Sequence, residues 1–285
     1  MRFHIRASDS LVETWTSRHV PFRGHTRNTA ADMVYRAALR EKIRGMRASS
    51  TFSASYACAV WPEADIENLL LYNISIGKAE FGDRRSLCFE KLNSDQMPPC
   101  SELPDAVAYA RYDIGKPSIP IIVDTIVSSE PVAFTIRDLK SAGLMWRVFK
   151  AAEWHTGVRH DDGAPLKLDM IIHAPERVNL IGIVKPVLDG FLSALHHRSA
   201  ADADLPDIIE RLALKYGWRD REEIRYLLLD ERHAVLGNCG TPQRHIVRRL
   251  DSVKWSPDDH RVSHCRIRCE ISSDGIYRIE GRLLA

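Results

Sequence analysis

Asp65-Ile66-Glu67-Asn68 follows the apolar run Tyr56-Ala57-Cys58-Ala59-Val60-Trp61, while Lys185-Pro186-Val187-Leu188-Asp189 and Trp255-Ser256-Pro257-Asp258-Asp259 stand in the other half of the chain. Carboxylates at alternating positions at the end of a strand can converge on a divalent cation, and an Asp-Asp pair from a neighbouring loop can complete its oxygen shell. Phosphodiester hydrolysis with two ions needs several carboxylates around ions ~4 Å apart and a cation to meet the developing charge. Asp65, Glu67, Asp258 and Asp259 are the candidate ligands, for Mg²⁺ in the first instance. Lys185 is the candidate contact to the scissile phosphate, with Asp189 one helical turn beyond it. This chemistry requires the two halves to meet in one pocket. Simpler readings stay open beside it. Asp65 could cap the following helix while Glu67 faces solvent in its first turn, where the helix dipole favours acids. Lys185 and Asp189 could be an ordinary surface ion pair four residues apart, and Asp258-Asp259 after Pro257 could be a plain turn.

The elements that would hold these residues occur in the same order twice. In the first half, Arg2–Arg6 reads as a short strand and the stretch to Asn28 as basic and turn-rich. Thr29 and Asp32 have capping-box spacing, and Tyr35, Leu39, Ile43 and Met46 recur at helical intervals after them. The strand Thr51–Trp61, the acidic turn and an apolar helix from Leu69 to about Ile76 follow. In the second half, Val132–Ile136 leads into a helix over Leu139–Trp154, the strand Leu166–His173, the turn Pro175–Asn179 and a helix over Ile181–Leu195. Pro117, Pro120 and Pro131 bracket the β-rich Ile121–Val127, so the boundary is expected between Lys116 and Glu130, giving modules 1–125 and 126–285. Residues 196–253 read as a helical insertion, with Leu205, Ile208, Ile209 and Leu212 on one helix and Ile224–Leu229 on another. The segments Val262–Glu270 and Gly275–Leu284 are expected to close the fold as a hairpin.

Composition sets bounds on function. Of 285 residues, 45% are hydrophobic and 27% charged, which permits a core of ordinary size, and the net charge of +2 does not by itself announce a polyanionic partner. Charge is uneven, however. Arg18, Arg23 and Arg27 belong to an early basic cluster, and Arg248, Arg249 and Arg261 to a late one. With Lys185 these are the candidate nucleic-acid contacts, since a phosphate backbone responds to local basic surface. No run is long enough to span a membrane, and the N-terminus has no apolar signal region. The six cysteines lack the spacing of a disulfide scaffold and read as reduced thiols of a cytoplasmic protein. His260, His264, Cys265 and Cys269 have zinc-ligand types, but strand alternation turns the thiols and the His264 imidazole to opposite faces.

The residues resemble the RusA-type Holliday junction resolvases, small α/β endonucleases acting as dimers on four-way DNA with Mg²⁺. Lys185 and Asp189 match the family's helix Lys and Asp, and Trp255–Val262 matches its aromatic/Asp-Asp segment. Where the family has its Asp-x-Asp-Asn turn, however, the second half has Asn179-Leu180-Ile181-Gly182. Asp65-Ile66-Glu67-Asn68 in the first half matches that turn with one Asp-to-Glu change, but Leu71 replaces the Lys. Asp95 is the sole acid of a strained match to the Asp-Asp segment; Asp169 and Glu176 are further acids that could have taken over ligand roles. The resemblance implies an α/β fold of two RusA-like modules in tandem, each a small mixed sheet with helices on one face. It also implies a DNA partner, branched or distorted, with catalysis either retained at a composite site or lost in a binding or assembly subunit. A protein partner at the insertion and further self-association complete the expectations.

Overall fold

The computed structural model describes residues 1–21, 28–58, 65–82, 84–114, 124–158, 164–237, 242–244, 253–255, 257 and 259–285. In the first half, strands β1 (Phe3–Ala7) and β2 (Leu11–Thr16) precede helix α1 (Ala30–Arg44), strand β3 (Thr51–Cys58), the short helix α2 (Lys78–Phe81), and strands β4 (Ser86–Lys91) and β5 (Ala108–Asp113). The second half has β6 (Thr125–Ser129), β7 (Val132–Ala133), α3 (Ala142–Lys150), β8 (Trp154–Thr156), β9 (Leu166–Ala174) and α4 (Leu180–Ala194). Helices α5 (Leu205–Tyr216) and α6 (Arg221–Leu229) and the small pair β10 (Gln243–Arg244) and β11 (Val253–Lys254) follow, before β12 (Val262–Ile271) and β13 (Arg278–Leu284).

Local chemistry explains where several of these begin. Thr29 caps α1, its hydroxyl accepting from the Asp32 N–H while Asp32 accepts from the Thr29 N–H, the reciprocal box its spacing predicts. Arg18 Nη2 donates to both carboxylate oxygens of the same buried Asp32, at 2.7 and 2.6 Å. Leu39 and Ile43 then face inward, fully buried. Helix α4 is apolar around most of its circumference, with Ile183, Val184, Val187, Leu188, Phe191 and Leu192 buried. That pattern belongs to a helix enclosed by its neighbours. Gly190 lets α3 press close: a Cβ there would lie 2.5 Å from Met145 Cβ and 2.9 Å from the Ala142 carbonyl oxygen. Gly281 on β13 likewise makes room for the Phe191 ring.

One mixed sheet of eleven strands runs through both halves, in the order β1-β2-β5-β3-β4-β12-β9-β13-β6-β8 with β7 added to β13. Inward from either edge, three antiparallel pairings are followed by one parallel pairing, β3 with β4 on one side and β9 with β12 on the other. The halves meet where β4 and β12 pair antiparallel, from His264 opposite Glu90 to Arg268 opposite Ser86. The arrangement is palindromic. A single core cluster joins Phe52 and Phe89 of the first half to Leu168, Met170 and Phe191 of the second, while Trp15, Ala57 and Tyr109 form a smaller cluster. The expected mixed α/β class therefore holds, but as one continuous α+β sheet.

Several expectations need correction. Segments Val262–Glu270 and Gly275–Leu284 are strands but not a hairpin, because β9 lies between them and pairs with both. Alternation reveals a strand without naming its neighbour, and the link after β12 steps over a full strand width. Leu11–Thr16, expected as part of an irregular stretch, is strand β2, with Val12 and Trp15 buried. The helix expected over Leu139–Trp154 ends at Lys150; Trp154 opens β8 and packs in tilted contacts on Phe149 and Phe191 instead. Residues 121–123 lie outside the described residues, as do Arg23, Arg27, Arg248, Arg249 and Asp258.

Candidate metal centre

Asp65 stands at the end of the connection from β3, where Ile66 and Glu67 begin a helical turn that widens into a π-helical turn at Asn68–Tyr72. Its bonds run five residues back, from Asn73 N–H to the Asn68 carbonyl at 2.9 Å and from Ile76 N–H to Leu71 at 3.0 Å. Such turns are uncommon and recur at functional sites. Ile66, Leu70 and Leu71 are fully buried and fix the turn to the core. Glu67 is buried too, at 1% exposure, and does not face solvent as an ordinary first-turn acid would. The Asp65 carboxylate accepts from the Asn68 side-chain amide, so it is held by a side chain and not by a capping bond to a backbone N–H.

The second half supplies the rest. Lys185 and Asp189 form a polar stripe one turn apart on the otherwise apolar α4, and Pro186 beside Lys185 lacks the N–H that would bond the Gly182 carbonyl. Asp259 sits on the 3₁₀ turn Asp259–Arg261 that leads into β12, its N–H bonded to the Pro257 carbonyl. Trp255, just upstream, packs at 5.5 Å on Trp146 of α3 and donates its indole N–H to the Tyr216 hydroxyl at 3.2 Å. Tyr216 in turn stacks on Trp218. The α5–α6 segment thus braces the loop that carries Asp259.

All five residues converge. Lys185 Nζ lies 2.9 Å from Glu67 Oε1, 3.3 Å from Asp189 Oδ1, 3.3 Å from Asp259 Oδ2 and 3.5 Å from Asp65 Oδ2. One oxygen from each of Asp65, Glu67 and Asp259 lies within 4.8 Å of the others. Asp65 and Lys185 are 120 residues apart in sequence and Asp259 lies farther still, so only the fold brings these groups together. Lys185 and Asp189 are not the isolated surface pair of the simpler reading but part of a half-enclosed cluster, in which Asp189 is 6% exposed.

Four carboxylates around one ammonium leave an excess of negative charge in a site poorly reached by water. Burial pushes the Asp189 carboxyl up to about 7, with the charges of Glu67 and Asp65 adding to it against Lys185. Burial likewise pushes Asp259 up to about 8, helped by Asp65, Glu67 and Asp189. Glu67 is raised by burial and by Asp65. Burial opposes the charge on Lys185, but Glu67, Asp189, Asp259 and Asp65 outweigh it and push its pKa up. A further cation would let all four acids ionise. The donors are hard carboxylate oxygens, the set that suits Mg²⁺ or Mn²⁺.

Two groups escaped sequence reasoning. Lys91 ends β4 and bonds the His260 carbonyl; burial lowers its pKa while Asp65, Glu67 and Asp259 pull it back up, which puts it within electrostatic reach of the cluster. Tyr72 closes the π-turn, and burial, with Glu67, pushes its hydroxyl up to about 12. Neither carries a spacing signal: Lys91 becomes a neighbour through the β3–β4 pairing, Tyr56 opposite Lys91.

Other candidates are placed elsewhere. Asp169 is held by Arg266 at 2.8 and 2.5 Å and by Arg268, and Glu176 accepts from the Tyr277 hydroxyl. Asp95 is exposed on the single turn Ser94–Gln96. Arg18 is engaged by Asp32, and Arg261 donates to the Ala164 carbonyl. Cys265 and Cys269 are buried while His264 bonds Glu90, as alternation along β12 requires. A second group with metal-ligand types is His4, Cys100 and Glu102, where the Cys100 thiol and the Ser101 hydroxyl both donate to Glu102. No described helix is long and apolar enough to cross a membrane. No family model, curated protein or solved structure matches this chain.

Proposed function

We propose that this chain is a divalent-metal-dependent endonuclease of the RusA type, acting on branched or distorted DNA through one composite site. The convergence of Asp65 and Glu67 from one half with Asp189 and Asp259 from the other, all around Lys185, carries this reading. The palindromic strand order supports its second part, that two halves of one chain stand where two copies stand in dimeric resolvases. Asp65, Glu67 and Asp259 would hold the cation. A divalent ion there supplies polarisation of a phosphoryl oxygen and a more acidic water. The protein's own groups do the rest. Lys185 and Lys91 stabilise negative charge growing on the phosphate. Asp189 holds Lys185 in place and, once the cation favours its ionised form, is a carboxylate that can accept a proton.

The test is cleavage of a labelled four-way junction against plain duplex, with Mg²⁺ and with Ca²⁺. Mg²⁺-dependent cutting of the junction is the expected result; absence of cutting with every divalent ion tried would refute the enzymatic reading. A second reading, a non-catalytic DNA-binding or assembly subunit, is favoured by one observation. The Lys185 ammonium already contacts all four acids and can substitute for a metal charge. Junction binding without cutting would select it.

A further inference from the structure

We propose that the cleft between the β9–α4 turn and the segment leading into β4 is a seat for a phosphate oxyanion, supplied by a nucleic-acid backbone. The palindrome points to this place. The acidic cluster lies where the turn after β3 meets the segment before β12. The corresponding place in the other half is where the turn after β9 meets the segment before β4, at the opposite end of the central strands. A cleft of about 170 Å³ lies there, walled by Lys78, Arg84, Arg85, Arg177, Asn179 and Cys269. It opens into a wider one of about 620 Å³ that shares Arg84, Arg85 and Arg177 and reaches Arg44. The space exceeds several water molecules at ~30 Å³ each.

Charge has reversed between the two places. Arg84 is 93% buried by the complement of its 7% exposure, yet no carboxylate pairs with it among the described residues. Its Nη1 donates to the Glu80 and Phe81 carbonyls, its Cζ lies 5.4 Å from the centre of the Phe52 ring, and its buried Nε has no partner. A buried guanidinium without a counter-ion among the described residues is costly, and an anion held close by offsets part of that cost. Arg85 beside it is exposed and likewise unpaired with any described acid. Glu80, the acid on the wider cleft, is already taken by Arg44 and by the Gly77 N–H. Helix α4 opens on this cleft at Asn179, whose side chain makes no capping bond, and its first turn carries no acid. The helix dipole therefore adds to the positive potential. A tetrahedral oxyanion accepts from several donors at once, which suits the Arg85 fork, the Lys78 ammonium and the opening of α4, with the buried charge of Arg84 behind them.

Only the source of the phosphate rests on the nuclease reading. The two places are bridged by α4, whose Asn179 and Lys185 are six residues apart, and by the six-residue β4, hence roughly 10–20 Å apart at ~1.5 Å per helical and ~3.3 Å per strand residue. That distance suits a nucleic acid held at one end while the acidic centre works at the other. The experiment uses the full chain in the presence of chelator, titrated with inorganic phosphate by ³¹P NMR and with labelled duplex and four-way DNA by fluorescence anisotropy. Wild type is compared with Arg85→Glu and Arg177→Glu, both at exposed positions that leave the core intact. Saturable phosphate binding, weakened at least tenfold in Arg85→Glu, with DNA affinity falling by a similar factor, is the expected result. Phosphate binding that is absent, or untouched by Arg85→Glu, overturns the seat. Phosphate binding lost while DNA affinity stands unchanged overturns the nucleic-acid source and assigns a phosphorylated small molecule. Junction cleavage with Mg²⁺, measured separately on the same proteins, reads the acidic centre and keeps its failure distinct.

Discussion

At one end of β4 and β12, the turn after β3 meets the segment before β12 and sets Asp65, Glu67 and Asp259 around Lys185. At the other end, the turn after β9 meets the segment before β4 and sets Arg177 and Asn179 beside Arg84 and Arg85. The pairings are equivalent, and the chemistry is opposite. Backbone topology creates two places where a loop and a strand entry converge; residue types alone decide which one attracts a cation and which an anion. The contrast extends to α4, whose first turn lies at the basic end and whose Lys185 and Asp189 reach the acidic cluster. One helix thus contributes to both places.

The largest expected effect comes from removing a charge at the acidic end. Glu67→Gln should lower Mg²⁺-dependent junction cleavage by at least a factor of ~10³, the scale of losing a key transition-state electrostatic group. Its melting temperature should not fall, because the change removes one of four mutually repelling acids. Activity retained within tenfold would mean that the two ends differ in charge but not in function. Next in size, Lys185→Met should destabilise the metal-free protein by roughly 2–3 kcal/mol, the low end for losing one partner of a buried ion pair because Lys185 is a third exposed. Added Mg²⁺ should restore part of that loss in a thermal melt.

A smaller effect is expected from pH. Asp189 and Asp259 have pKa values raised to about 7 and about 8, so between the unfolded value near 4 and those values the folded state binds more protons than the unfolded. Their contribution to stability is then fully present below about pH 4 and is lost as pH rises through 7 to 8. The metal-free protein should melt several degrees lower at pH 8 than at pH 5, and Mg²⁺ should narrow the gap by favouring the ionised acids. A melt insensitive to pH over this range would contradict the charge crowding at the acidic end. The smallest effect belongs to the basic end. Asn179→Asp should change stability by under ~1 kcal/mol and create no second metal site, since Arg84 and Arg85 would neutralise the new acid. Gain of a second bound Mn²⁺ in that variant would show that the ends are interchangeable after all.

Much of this was legible in the chain, and the exceptions are instructive. The capping box at Thr29 and Asp32, the strand before Asp65 and the helix carrying Lys185 and Asp189 are local patterns, and local patterns survive folding. The requirement that acids from both halves share a pocket was readable as a condition of the chemistry, because neither half holds a full set. The strand between β12 and β13 was not readable: β9 enters their gap from a hundred residues upstream. Lys91 was hidden for a similar reason, being an unremarkable strand-end lysine until parallel pairing sets it beside Tyr56. Glu67 could be read as a ligand or as a first-turn surface acid, and the π-turn at Asn68–Tyr72 that turns it inward has no sequence signature to decide between them. Residue pattern reports periodicity well and adjacency poorly.

The central claim is that one cation site is shared by two halves of the chain, and Mn²⁺ binding followed by electron paramagnetic resonance tests it without depending on any substrate. Wild type should bind Mn²⁺ at the acidic cluster, and Asp65→Asn and Asp259→Asn should each weaken that binding at least tenfold. Loss in one variant with full binding in the other would place the metal in a single half and contradict the shared site.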